Sequence, residues 1–116
     1  MAIQRMEMNA RRSRVVVHNG TVYLAGQVAN DVSSDITSQT REALENVDKM
    51  LALAGTDKSR ILSATIWLRD MADFNGMNAV WDKWIDPANP PARACGRVEM
   101  ARPEIRIEVL VICAAK

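Results

Sequence analysis

Apolar and polar residues alternate along two stretches near the C-terminal end, Pro90–Val98 and Ile105–Ile112. Alternation with period two predicts β-strands whose side chains at i, i+2 and i+4 share a face. On the first strand Arg93, Cys95, Arg97 and Glu99 share one face, and Ala94, Val98 and Met100 take the other. On the second, Ile105, Ile107, Val109, Val111 and Cys113 line up, while Glu108 points the opposite way between Arg106, Leu110 and Ile112. Upstream, the β-branched run Ser13–His18, the turn dipeptide Asn19-Gly20 and the segment Thr21–Gln27 read as a hairpin. Gly26 inside the return strand marks a bulge or a close backbone approach. The period then lengthens. Ile36, Thr40, Ala43, Leu44, Val47, Met50, Leu51 and Ala54 recur at helical spacing behind a candidate cap at Asp35, and Gly55 supplies the C-terminal stop. Ser59–Leu68 reads as a strand. Asp73 can cap a second helix carrying Phe74, Met77, Trp81 and Trp84 on one side, which Pro87, Pro90 and Pro91 end.

The resulting order, ββαβαββ with a short extra strand at Ile3–Met8, predicts one α+β domain over residues 1–116. Two helices cover one face of a mixed or mainly antiparallel sheet, so the other face is left to a second copy of the chain. Pro103 marks a short connection, which predicts that the last two strands pair as a hairpin. Glu108 then lies beside the Arg93/Cys95/Arg97 face. A carboxylate among Ile, Val and Leu is costly to bury without a partner. Two readings follow. Arg97 and Glu108 can be a cross-strand ion pair; or an arginine, a thiol and an acid on adjacent strands form a site for a small carboxylate-bearing molecule, with Arg93 at the strand entrance as its grip. Cys95 taken alone reads as a small buried hydrophobe.

Composition narrows the function classes. The net charge of +1 gives no general pull toward nucleic acid or membranes. Two cysteines with no framework suit free thiols in a reducing compartment, and neither a signal-type apolar segment nor a membrane-length run is present, so a cytoplasmic location is expected. The single histidine, His18, leaves histidine-based metal sites and nucleophile–histidine pairs without parts. The five scattered glycines form no phosphate loop, and neither a metal nor a cofactor is called for. The run Arg11-Arg12-Ser13-Arg14 reads as a solvated edge from which one arginine can reach a neighbouring subunit.

The segments Leu24-Ala25-Gly26-Gln27-Val28, Gln39-Thr40, Asn46, Asp70-Met71-Ala72-Asp73-Phe74, Met77-Asn78, Pro91-Ala92-Arg93 and Ile107-Glu108, in this order and spacing, resemble the RidA (YjgF) family of enamine/imine deaminases. The resemblance covers essentially the whole chain. It implies a chorismate-mutase-like fold and a homotrimer whose sheets form a central barrel, with three small-molecule sites at the subunit clefts. It further implies that Arg93 holds a substrate carboxylate through a two-pronged contact and that Glu108 handles the attacking water. Cys95 would line the pocket, the backbone at Ala25 and Gly26 would border the ligand, and Asn78 would be a neighbour.

The chain departs from that pattern. Ala25 stands where many members carry serine, and Asn9–Arg14 replaces the usual N-terminal Gly-Pro-Tyr segment. Arg14 and Arg97 add candidate substrate-binding arginines, which suits a more anionic substrate than the small imines of the main group. The expected activity is cofactor-independent hydrolysis of an enamine or imine to a 2-keto acid and ammonia. A non-catalytic keto-acid sensor is the alternative. A ribonuclease or translation inhibitor is disfavoured by the near-neutral charge and the lone histidine.

Overall fold

A computed structural model describes residues 2–116. Six strands, β1 (Gln4–Met8), β2 (Ser13–His18), β3 (Thr21–Leu24), β4 (Ile61–Leu68), β5 (Ala92–Arg97) and β6 (Ile107–Ala114), form one sheet in the order β1-β2-β3-β6-β4-β5. Only the β4–β5 pair is parallel. Two helices, α1 (Ile36–Leu53) and α2 (Phe74–Trp84), pack on one face. The α+β class with a mixed sheet holds, and the extra N-terminal strand is present as β1.

The local signals act as their chemistry requires. Asn19 and Gly20 turn the β2–β3 hairpin at φ 50° and 76°. The Asp35 carboxylate accepts from Ser38 N at 2.9 Å, and Gly55 leaves α1 at φ 77°. At α2 the expectation needs correcting: Asp73 makes no cap hydrogen bond. Its carboxylate instead accepts from Arg106 Nη1 at 3.5 Å, while Asp70 caps the short turn ahead, accepting from Ala72 N.

The core lies between the helices and one sheet face. Val15, Val22, Leu24, Ala64, Ile66, Leu68, Ile107, Val109 and Val111 meet Leu44, Val47, Leu51, Met77 and Trp81. Fully buried Gln39 ties α1 to the connection that delivers β6. Its Nε2 donates to Val32 O, Ser34 O and Glu104 O at 3.1 Å, and its Oε1 accepts from Arg106 N at 2.9 Å. These bonds satisfy backbone groups that would be costly to leave unpaired. They also place Glu108, two residues on.

The expected hairpin between the last two strands does not form. β4 lies between β5 and β6, pairing Trp67 with both Gly96 and Glu108. The cause is burial. Ala64, Ile66 and Leu68 are buried on one side of β4 while Thr65 and Trp67 are half-buried on the other, so β4 takes an interior position. The strand bearing exposed Arg93 and Arg97 goes to the edge, reached from β4 through α2 as a parallel crossover. The segment 98–106 then steps across β4.

Candidate functional site

Register determines which candidates meet. Arg93, Cys95 and Arg97 pair with Ala64, Ile66 and Leu68, so they lie on the helix side of the sheet. Glu108 pairs with Trp67 and shares the uncovered side. The expectation that Glu108 sits beside Arg93, Cys95 and Arg97 is therefore overturned, and so is an Arg97–Glu108 ion pair within one chain. Arg97 is level with Ile107 instead. Two strand spacings of about 4.8 Å and three residues of about 3.3 Å put the Arg93 and Glu108 Cα atoms roughly 14 Å apart, on opposite faces.

Glu108 is half-buried and, among the described residues, has neither an ion-pair nor a hydrogen-bond partner. Burial without compensation pushes its carboxyl above the ordinary glutamate value. Gly26 explains how the side chain fits. A Cβ at this position would overlap the Glu108 carboxylate oxygen and stand 2.7 Å from Cδ. The glycine is a close approach, as its place in the strand pattern suggests. It also shortens β3, which ends at Leu24 rather than Gln27. Pairing resumes only at Gln27, which exchanges backbone hydrogen bonds of 2.8 and 2.9 Å with Val109.

A cleft of about 390 Å³ opens in front of this pair, walled by Arg12, Arg14, Ala25, Gly26, Gln27, Asn30, Asn46, Ile105 and Glu108 among others. Ala25 N donates to Arg14 O at 2.9 Å, tying the start of β2 to the Gly26 segment. Asn46 of α1 braces the far wall by donating to Val28 O and Asn30 Oδ1. A larger groove of about 540 Å³ runs between α1 and α2, past Leu44, Val80 and Trp84. It holds no buried carboxylate, so the chemistry concentrates in the smaller cleft.

Arg93 and Cys95 form a second group at the β5 edge. The Arg93 guanidinium carbon stands 5.2 Å over the Trp81 ring, and its Nη1 is 4.0 Å from Met77 Sδ. An arginine stacked on an aromatic face is held in place while its outer edge stays open. Asn78, next to Met77 on α2, has an Oδ1 shut off from solvent with no partner among the described residues. Cys95 is half-buried; burial raises its thiol above the ordinary value and Arg93 only partly offsets this, so the thiol stays protonated at neutral pH. Sequence reasoning missed Trp81 as the platform for Arg93, Gln39 as the brace of β6, and Arg12 as a cleft residue in its own right. Trp81 carried only a helical-spacing signal, and Gln39 only its place in the Gln39-Thr40 segment of the family resemblance.

The candidates thus fall into two half-sites, Arg14, Ala25, Gly26 and Glu108 at the cleft and Arg93 and Cys95 near the opposite edge, with Asn78 on α2 beside the Met77 that Arg93 approaches. Comparison with known proteins gives this division a context. The family described as "Endoribonuclease L-PSP" matches residues 2–115. A RutC family protein of Haemophilus ducreyi is 44% identical over 112 residues, covering 97% of this chain and 96% of that one. The human 2-iminobutanoate/2-iminopropanoate deaminase is 31% identical over 103 residues, covering 84% and 74%. A crystal structure of a YjgF family member from Neisseria meningitidis superposes with a TM-score of 0.97 at 38% identity, covering 100% of this chain and 97% of that one. That likeness extends to the chorismate-mutase-like arrangement of the sheet and its two helices.

Proposed function

The chain belongs to the YjgF/RidA family, and on that premise we propose that it hydrolyses imines or enamines of 2-keto acids to the keto acid and ammonia, without a cofactor, at clefts shared between subunits of a homotrimer. One observation carries the reading: a half-buried, unpartnered Glu108 carboxylate seated against Gly26 and facing a ligand-sized cleft. A structural ion pair would have given Glu108 a partner, whereas a base for water needs an uncommitted oxygen. A relative named as a 2-iminobutanoate/2-iminopropanoate deaminase supports the substrate class.

The two half-sites support shared clefts. Arg93 sits on the edge strand, on the opposite face from Glu108 of the same chain, so a neighbour's β5 edge is the route by which a guanidinium meets this cleft. The uncovered sheet face offers the contact surface: Tyr23 and Ile112 are paired neighbours on it and remain 44% and 38% exposed.

In the reaction, Arg93 of the adjoining subunit holds the substrate carboxylate and keeps the imine carbon before Glu108. The water oxygen bonds to that carbon as the C=N π pair moves to nitrogen, and Glu108 takes the water proton. Glu108 then protonates the amine nitrogen. Glu108 next takes the hydroxyl proton and delivers it to that nitrogen as the C–N bond breaks, so the hydroxyl oxygen forms the carbonyl, ammonia leaves with the keto acid and Glu108 is ionised again. The raised carboxyl brings the base closer to the operating pH. Cys95 with its protonated thiol is a wall rather than a nucleophile.

The test is to generate an imino acid in situ with an amino-acid oxidase and follow ammonia release with and without the protein. Acceleration supports hydrolysis; keto-acid binding without acceleration supports a sensor. An endoribonuclease, the activity in the family's description, finds less support: the sole histidine, His18, ends β2 beside the Asn19-Gly20 turn and has no second histidine to work with.

A further inference from the structure

The Glu108 cleft holds more positive charge than one substrate carboxylate needs. Its amides are already committed: Gln27 Nε2 donates to Ala25 O at 2.9 Å, and Asn46 Nδ2 to Val28 O and Asn30 Oδ1. Arg12 and Arg14 are not. Both line the cleft, and among the described residues neither guanidinium has an ion-pair or hydrogen-bond partner. Glu108 on the same wall is not within ion-pair reach of either.

The backbone that carries the two arginines is anchored. Asn9 Oδ1 accepts from Arg11 N and Arg12 N at 2.8 Å, Asn9 N donates to Arg12 O at 2.9 Å, and Arg14 O accepts from Ala25 N. Two guanidinia two residues apart repel each other until an anion lies between them. Arg97, the other surplus arginine of the sequence, lies on the helix side with Arg93 and does not line the cleft of its own chain.

We infer that Arg12 and Arg14 form a second anion subsite in the Glu108 cleft, so that the substrate is an imine carrying a further carboxylate on its side chain. This rests on the hydrolytic reading for the reaction but not for the binding. In that arrangement Arg93 of the adjoining subunit takes the carboxylate next to the imine carbon. Arg12 and Arg14 take the distal one and hold the imine carbon against Glu108.

Calorimetry of the intact protein with pyruvate, oxaloacetate and 2-oxoglutarate tests the subsite without turnover. The dicarboxylates should bind about tenfold or more tightly than pyruvate, with an advantage that shrinks as salt rises. Arg12→Ala/Arg14→Ala should remove that advantage and leave pyruvate affinity unchanged. Arg14→Lys should keep part of it, since lysine retains the charge but not the fork. Equal affinities in the unsubstituted protein, or an equal loss for mono- and dicarboxylates in the double variant, would overturn the subsite even with imine hydrolysis intact. Conversely, arginine-dependent dicarboxylate binding without hydrolysis of an alanine- or aspartate-derived imine would overturn the hydrolytic reading and leave the subsite standing.

Discussion

Gly26→Ala is the smallest change that should disable the cleft. The added Cβ would stand 2.7 Å from Glu108 Cδ and 2.9 Å from Cγ, directly on the carboxylate. Carbon atoms rest at about 3.5–4.0 Å, so the Glu108 head must retreat by about 1 Å. The atoms it meets are the outer end of a flexible, half-buried side chain that can swing aside, so the cost falls at or below the low end of overpacking, about 1 kcal/mol or less. At roughly 4 °C per kcal/mol for a domain of this size, Tm should fall by roughly 4 °C or less. A base displaced by about 1 Å loses on the order of a hundredfold in rate. Melting and imine hydrolysis measured on the same preparation report both effects. The control is Gly26→Ala in a Glu108→Ala background, where the methyl enters vacated space and should cost nothing measurable, giving a coupling of about 1 kcal/mol or less. The same Tm loss in both backgrounds, or full turnover in the single variant, would refute the link between this glycine and the carboxylate.

Two further outcomes follow from the geometry. Glu108→Gln should melt higher than the unsubstituted protein at neutral pH. A carboxyl raised by burial makes the folded state less stable as pH climbs from the ordinary glutamate value through the raised one, so the gain should vanish as pH is lowered back through that window, and a Tm loss at neutral pH would instead mean a structural ion pair. Trp81→Leu should weaken keto-acid binding about threefold, as expected for losing a cation–π contact of about 0.5–1 kcal/mol, whereas Trp81→Phe should largely keep it; unchanged affinity in the leucine variant, measured on folded protein, would show that Trp81 does not hold Arg93.

Much of the fold was legible because local chemistry decides it. Asp35, Gly55 and Asn19-Gly20 act within a few residues of themselves, and the period-two and helical patterns mark which side chains face the core. Strand neighbours were not legible. Alternation assigns Arg93, Cys95 and Arg97 to a common face without saying which side of the sheet that face becomes. Their polarity suggested the side of Glu108, but β5 lies at the edge, where the helix side is only partly covered and Trp81 serves as a platform. The segment around Pro103 looked like a turn because nothing in it reveals that β4, more apolar on both faces, claims the place between β5 and β6. Glu108 and Gly26 were each conspicuous in the sequence, one as a buried acid and one as a strand glycine. Only the structure shows that each accounts for the other.

The claim that the site is assembled between subunits is tested most directly by mixing two inactive proteins. Arg93→Ala lacks the carboxylate grip and Glu108→Gln lacks the base, so each alone should hydrolyse imines poorly. If the two are refolded together in equal amounts, about one quarter of the clefts in a closed oligomer will draw an intact Arg93 from one subunit and an intact Glu108 from the next. Activity should then return to about a quarter of the unsubstituted protein's value. Activity no greater than that of the two variants assayed separately, in mixed oligomers shown to have formed, would mean that Arg93 and Glu108 do not meet across a subunit boundary.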